Sequence, residues 1–191
     1  MKTFIENECE KIANNFLNLK QLAPEIEQIA VLCINALRQG NKIMFCGNGG
    51  SASQALHLAA ELVGRYKINR PAMASVALTT DVSILTAVGN DYGFEQIFSR
   101  QVEGIGKNGD VLIGLSTSGN SKNVLLAFNQ AQKQGIKTIA FTGADGGSMA
   151  KTADIAFKVP STTTNYIQEM HLATGHMLCG LIEEEINQKN T

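Results

Sequence analysis

The chain has no tryptophan, only 3 prolines, and 4 cysteines scattered at positions 9, 33, 46 and 179. No two of these form a Cys-x-x-Cys pair, so neither a zinc ribbon nor a disulfide framework is indicated, and the thiols read as reduced and buried. A basic excess is missing too: 16 Lys and Arg stand against 17 Asp and Glu, for a net charge of −1. A protein that binds nucleic acid or anionic membrane non-specifically carries such an excess, so neither partner is expected. No run reaches the roughly 18 apolar residues of a membrane-spanning helix. The opening MKTFIENECEKIANNF carries acids early and has no apolar h-region, so no secretory signal is expected. The expectation is a cytoplasmic, soluble protein.

The composition is otherwise that of a globular protein. Hydrophobic residues make up 44% of the 191 positions and charged residues 17%. That length fits one domain over 1–191, large enough to bury its own core.

Residues 1–40 read as a helical extension. Phe4, Ile5, Ile12, Phe16 and Leu19 lie roughly on one face of a first helix. Pro24 stands near the start of a second, which carries Ile26, Ile29, Ala30, Leu32, Cys33, Ala36 and Leu37 and stops at Gly40. This extension is expected to pack on the rest of the domain or on a neighbouring subunit. Beyond it, short apolar runs at 42–46, 75–78, 111–115, 138–142 and 155–159 alternate with stretches of helical length. Short continuous apolar strands are buried on both faces, and their alternation with helices predicts a doubly wound, five-stranded parallel sheet. A last helix is expected from about Asn165 to Asn187, with Ile167, Met170, Ala173, Thr174, Met177, Leu178 and Leu181 as its apolar stripe. Gly175 and Gly180 are costly inside it and require something packed very close.

Two loops carry the chemistry. The first strand ends in Cys46-Gly47-Asn48-Gly49-Gly50-Ser51-Ala52-Ser53, and the third in Ser116-Thr117-Ser118-Gly119-Asn120-Ser121. Each runs into a helix, so free N–H groups and hydroxyls gather at a positive helix start, which suits a phosphate monoester. In a sheet of order 2-1-3-4-5 these are the two loops at the topological switch point, where ligands bind. Ordinary strand–helix turns with serine caps are the plainer alternative. The first loop also fits a degenerate G-x-G-x-x-A dinucleotide pattern, but the first acid after the second strand, Asp81, lies thirty residues beyond Ser51 instead of about twenty. No GxxxxGK[ST] occurs, so a P-loop is excluded and no nucleotide cofactor is expected.

A polar constellation accompanies the loops. His57 and Glu61 stand i,i+4 on the helix after the first loop; Gln168 and His176 stand i,i+8 on the last helix, with His171 off their row. In isolation the first pair reads as a surface ion pair and His176 as a core or interface histidine. Moving a carbonyl along a phosphosugar needs a base for the carbon-bound proton and an acid for the oxygen protons, roles a carboxylate and a histidine can fill. The same nitrogen and oxygen donors could instead hold zinc, although glutamine is an uncommon zinc ligand.

With these residues stand GNGGSA at 47–52, HxxxE at 57–61, ELVGRY at 61–66, GNDYGFE at 89–95, LSTSGNS at 115–121, TGADGG at 142–147 and IQEMH at 167–171 followed by His176. In this ordered set the chain resembles, nearly end to end, the sugar isomerase (SIS) domain family, in particular its members that act on heptose phosphates. The resemblance implies a flavodoxin-like α/β fold and an aldose–ketose isomerase that converts sedoheptulose 7-phosphate to D-glycero-D-manno-heptose 7-phosphate through an enediol(ate), opening bacterial nucleotide-heptose synthesis. It implies that Ser51, Ser116, Ser118 and Ser121 hold the phosphate, helped by the backbone of Asn48, Gly49, Gly50 and Thr117. Asn90, Asp91 and Gln168 match sugar-contacting positions, Glu61 the general base and His176 the general acid. Zinc, one per subunit, is implied on His57, Glu61, Gln168 and His176, an assignment that shares Glu61 and His176 with the acid–base pair. A homotetramer with sites at subunit interfaces is implied as well, with Glu61 and His176 free to come from different chains. Residues 52–54, Ala-Ser-Gln, depart from some members, which carry His or Asp there. Two alternatives remain: a non-catalytic SIS-domain protein that binds the replication initiator, and an isomerase of another phosphosugar. The first is expected to lack the base and second histidine, and to carry a bulky basic residue at position 118, which here is serine.

Overall fold

The strands alternate as a sheet covered on both sides demands. In β1 (Ile43–Gly47), Ile43 and Phe45 enter one core cluster while Met44 and Cys46 enter a second. In β3 (Val111–Leu115), Val111, Ile113 and Leu115 enter the first and Leu112 the second; in β4 (Lys137–Thr142), Ile139 and Phe141 oppose Ala140. Every residue of β1 and β3 is buried, as expected of central parallel strands. Each large apolar side chain so placed stabilises the fold by about 1.5–3 kcal/mol. The computed structural model describes residues 1–187.

With β2 (Ser75–Ala77) and β5 (Ile155–Lys158) at the edges, the sheet has the order β2-β1-β3-β4-β5, all parallel. This is the expected doubly wound sheet, with strand bounds within one residue or so of the apolar runs. β1 and β3 are neighbours, with Gly47 opposite Leu115, so the two serine–glycine loops start side by side.

One face of the sheet is covered by α2 (Ala23–Arg38), α3 (Gly50–Val63) and α8 (Thr164–Asn187). The other is covered by α5 (Ser99–Ile105) and α6 (Lys122–Lys133), with Met149 of α7 (Gly147–Thr152) between β4 and β5. Leu85 and Val88 of α4 (Val82–Tyr92) pack on that second face. Pro24 sits in the first turn of α2, where its missing N–H costs nothing, and Gly40 follows the helix at φ +78°.

The N-terminal extension divides in two. α2 belongs to the core through Ile26, Ile29, Ala30 and Cys33. α1 (Lys2–Asn18) buries no residue: Phe4 is 69% exposed, Ile5 59% and Phe16 38%. Of its expected stripe only Leu19, in the 3₁₀ turn that follows, is buried. The Tyr166 hydroxyl on α8 donates to Glu8 and ties α1 to the body.

Candidate active site

α3 and α8 lie side by side and run the same way. The Gln168 amide fills the space over Gly50, and Gln54 Nε2 donates to the Gln168 carbonyl at 2.6 Å. Halfway along, Gly175 admits the Leu58 side chain, which a Cβ would meet at 2.4 Å. Further on, Gly180 faces the Tyr66 ring at 3.4 Å. Gly175 thus lets the two helices approach closely, whereas at Gly180 an added Cβ would make only an ordinary contact with the Tyr66 ring.

The two serine–glycine loops sit at the start of this seam. Gly49 adopts φ +54°, a turn that sends the chain from β1 into α3 and that a side chain would strain. Among the described residues no acceptor meets the N–H groups of Gly49 or Gly50. Ser51 is buried at the helix start, and its N–H donates to the Asn48 carbonyl at 3.0 Å. Across the switch point the Asn48 and Asn123 side chains exchange two amide hydrogen bonds of 2.9 and 2.8 Å. In the second loop the Ser116 hydroxyl lies 2.8 Å from that of Ser121 and 3.5 Å from that of Ser118. The loop after β4 braces it: Gly143 N–H donates to the Thr117 carbonyl at 3.1 Å, and Met149 N–H to the Gly119 carbonyl at 2.8 Å. A cluster of hydroxyls and unbonded N–H groups with no cation among them can hold a phosphate by hydrogen bonds alone.

Two to three turns along the seam lie the titratable groups. His57 Nε2 is 3.2 Å from Glu61 Oε1 and 2.8 Å from His176 Nε2. The two imidazoles meet edge to face, and the Tyr66 ring stacks on His176 at 5.6 Å and 19°. Burial lowers the pKa of His176 below that of an ordinary imidazole, His57 adds to the shift, and Glu61 opposes it. His176 is therefore neutral near pH 7, able to donate from one ring nitrogen and accept at the other. Two imidazole nitrogens 2.8 Å apart admit one proton or one cation between them. With Glu61 they form a group whose ligand atoms all lie within 4.8 Å, and such a His/Glu/His set could hold a metal ion.

All of these groups belong to one chain, so Glu61 and His176 meet without a second subunit. Gln168 packs over Gly50, at the loop end of the seam. Asn90 and Asp91 lie exposed on α4, where Asn90 Nδ2 donates to Asp91 Oδ1 at 2.7 Å. His171 is buried against the Thr142 carbonyl, off the row as its position predicts. Asp81, the acid weighed as a ribose ligand, caps α4 by accepting from Ile84 N–H at 2.9 Å. Tyr66 and Asn123 were not singled out by the sequence pattern. Tyr66 stands within the ELVGRY motif, whereas nothing marks Asn123 apart from its place just after the second loop.

An anion cradle, a carboxylate and a histidine arranged in this way suit the isomerisation of a phosphosugar. Residues 9–143 match the family model of the SIS domain, and the chain belongs to that family. Within it the similar relatives are phosphoheptose isomerases. That of Akkermansia muciniphila is 59% identical over 97% of this chain and 98% of its own. Among solved structures, the phosphoheptose isomerase of Neisseria gonorrhoeae is 41% identical with a TM-score of 0.90, over 96% of this chain and 98% of that one. The enzyme of Francisella tularensis is 36% identical with a TM-score of 0.92, over 95% and 97%.

Proposed function

We propose that the chain isomerises sedoheptulose 7-phosphate to D-glycero-D-manno-heptose 7-phosphate, the entry to bacterial nucleotide-heptose synthesis. The observation that carries this reading is the seam itself, with an anion cradle at one end and Glu61 beside His176 further along it. Eleven residues separate Gly50 from Glu61, about 16 Å along the helix axis, less the lean of the Glu61 side chain back towards the helix start. A seven-carbon chain phosphorylated at its far carbon spans such a gap, whereas a three-carbon one does not.

Ser51, Ser116, Ser118 and Ser121 hold the phosphate, with the backbone of Asn48, Gly49, Gly50 and Thr117. Gln168, beside that cradle, takes a sugar hydroxyl. The Glu61 carboxylate removes a proton from carbon 1 of the ketose while His176 gives one to the oxygen on carbon 2, forming the enediol. Glu61 then returns its proton to carbon 2 as the hydroxyl proton on carbon 1 leaves to His176, giving the aldose and restoring both groups.

The same donors fit a metal. His57, Glu61 and His176 offer two imidazole nitrogens and a carboxylate, the set expected of a catalytic zinc site with an open position, whereas Gln168, packed over Gly50 about two turns away, stands apart from them. Zinc bound there would supply polarisation of the sugar carbonyl and stabilisation of the enediolate charge.

The chain is proposed to form one domain that assembles as a cytoplasmic homotetramer. The single sheet with a core on each face supports the first, and the exposed apolar side of α1 the second. Among the described residues no helix is long and apolar enough to cross a membrane.

Substitution tests the roles. Glu61→Gln keeps the shape and removes the base, so kcat falls by about 10²–10⁴-fold while KM holds. Ser116→Ala with Ser121→Ala raises KM by about 10- to 100-fold. Turnover of Glu61→Gln within about tenfold of the parent contradicts the base, and an unchanged KM in the serine variant places the phosphate elsewhere.

A further inference from the structure

Between α3 and β2 the chain runs from Gly64 to Ala74 without helix or strand, and Tyr66 sits on this stretch. Such a segment has no hydrogen-bond ladder of its own to fix it. Here one side chain does so. The Glu183 carboxylate on α8 accepts from the N–H groups of Tyr66 at 3.1 Å, Lys67 at 2.7 Å and Ile68 at 3.2 Å, and from Arg70 Nε at 3.0 Å. Burial pushes the Glu183 carboxyl up, but the Lys67, Tyr66 and Ile68 donors and then the guanidinium outweigh it and hold it below the usual carboxylate range. Arg70 completes the structure from the other side. Its Nη2 donates to the Glu61 carbonyl at 2.9 Å and its Nη1 to the carbonyls of Leu62 at 2.8 Å and Pro71 at 3.1 Å. The guanidinium thereby caps the last carbonyls of α3. The two side chains are only 2% and 3% exposed.

A buried ion pair is a poor device for stability, because well-packed apolar residues of like volume often do as well or better. Its asset is fixed geometry, and the groups fixed here are those of the reaction. Arg70 bonds the carbonyl of Glu61 itself. Glu183 bonds the N–H of Tyr66, whose ring stacks on His176. We propose that Arg70 and Glu183 are positioning residues for the isomerisation, setting Glu61 through the last turn of α3 and His176 through the Tyr66 ring. The proposal rests on the isomerase reading above. It places the pair's effect on kcat and not on phosphate binding, because the cradle lies at the opposite end of α3.

The test uses the full chain with Arg70→Lys, Glu183→Gln, Tyr66→Leu and Tyr66→Phe. Each is assayed with sedoheptulose 7-phosphate well below its own melting temperature. Arg70→Lys and Glu183→Gln are expected to lower kcat by about 10- to 100-fold with KM within about threefold of the parent. Tyr66→Leu reproduces the loss without touching the buried pair, and Tyr66→Phe, which keeps the ring, restores kcat. A merely structural clamp lowers the melting temperature and leaves kcat of the folded protein unchanged. Folded Arg70 and Glu183 variants with kcat within about twofold of the parent overturn the proposal, as does a rise in KM that accounts for the whole loss. Should both fail to fold, the Tyr66 pair decides: equal kcat in Leu and Phe overturns it. A parent that does not convert the heptose phosphate overturns the isomerase reading alone. The clamp is then read from the His176 Cε1–H resonance in chelator-treated protein. Movement in Glu183→Gln or Arg70→Lys towards its position in Tyr66→Leu supports the clamp, and an unmoved resonance overturns it.

Discussion

At His171, folding takes an imidazole out of water and gives its Nε2 the Thr142 carbonyl at 3.1 Å. Burial pushes its pKa down from 6.5 to about 4, against a small upward pull from that carbonyl. The unfolded chain therefore binds a proton between those two values that the folded chain refuses. Stability falls as the pH drops from about 6.5 to about 4 and levels off below, at a total near 3 kcal/mol for this group. Urea unfolding across that range is expected to show a steeper loss in the parent than in His171→Gln; parallel curves would remove His171 as the cause. Residues of this kind mark the limit of what a sequence shows. His57, Glu61 and His176 come together as the family resemblance implies, whereas their helical spacing alone reads as a surface ion pair and a core or interface histidine. Glu183 is not legible, because Glu184 and Glu185 follow it and nothing in the run says which carboxylate turns inward. Arg70 is equally hidden, since its partners come from α3, its own loop and α8.

The element that organises the site is the α3–α8 seam. It depends on Gly175, where an added methyl would meet Leu58 Cδ2 at 2.4 Å and Cδ1 at 2.6 Å in a side chain only 1% exposed. Gly175→Ala is expected to force the helices apart at an overpacking cost of about 1–3 kcal/mol, lowering the melting temperature by about 2–12 °C. It also draws His176 away from His57, so activity falls at temperatures where the variant is folded. An unchanged melting curve would mean that Leu58 yields freely and that the seam is looser than drawn. The strands and their order were readable from apolar runs with loops at the switch point. The apolar stripe of α8 was read less well. Met177 and Leu181 are 41% and 38% exposed, while His171, Cys179 and Ile182 are buried in their place. Periodicity finds a face, but only the packing against α2 and α3 sets its rotation. Three of the four thiols fit that packing, Cys33, Cys46 and Cys179, with burial pushing Cys33 and Cys179 up to about 12, out of the reactive range, whereas Cys9, expected to be buried, is exposed because α1 buries none of its residues.

For the whole molecule the telling feature is apolar surface. α1 leaves Phe4, Ile5 and Leu17 exposed, and a groove of about 920 Å³ passes from Phe16 and Leu19 along Met177 and Leu181 to His176. Monomeric proteins rarely leave such patches uncovered. The proposed homotetramer covers them, and light scattering after size exclusion is expected to give four chains in the parent and smaller species in Phe4→Glu with Phe16→Glu. A monomeric parent would contradict the assembly while leaving the intrachain Glu61–His176 pair intact.

The account stands or falls on the reaction. The most direct measurement is a coupled assay of the purified protein with sedoheptulose 7-phosphate, run as purified, after chelation and after zinc is restored. The account predicts conversion to the aldose heptose phosphate, lost on chelation and recovered with zinc. Failure to convert under all three conditions would contradict the central claim; conversion untouched by chelation would leave Glu61 and His176 as the acid–base pair and remove zinc from the chemistry.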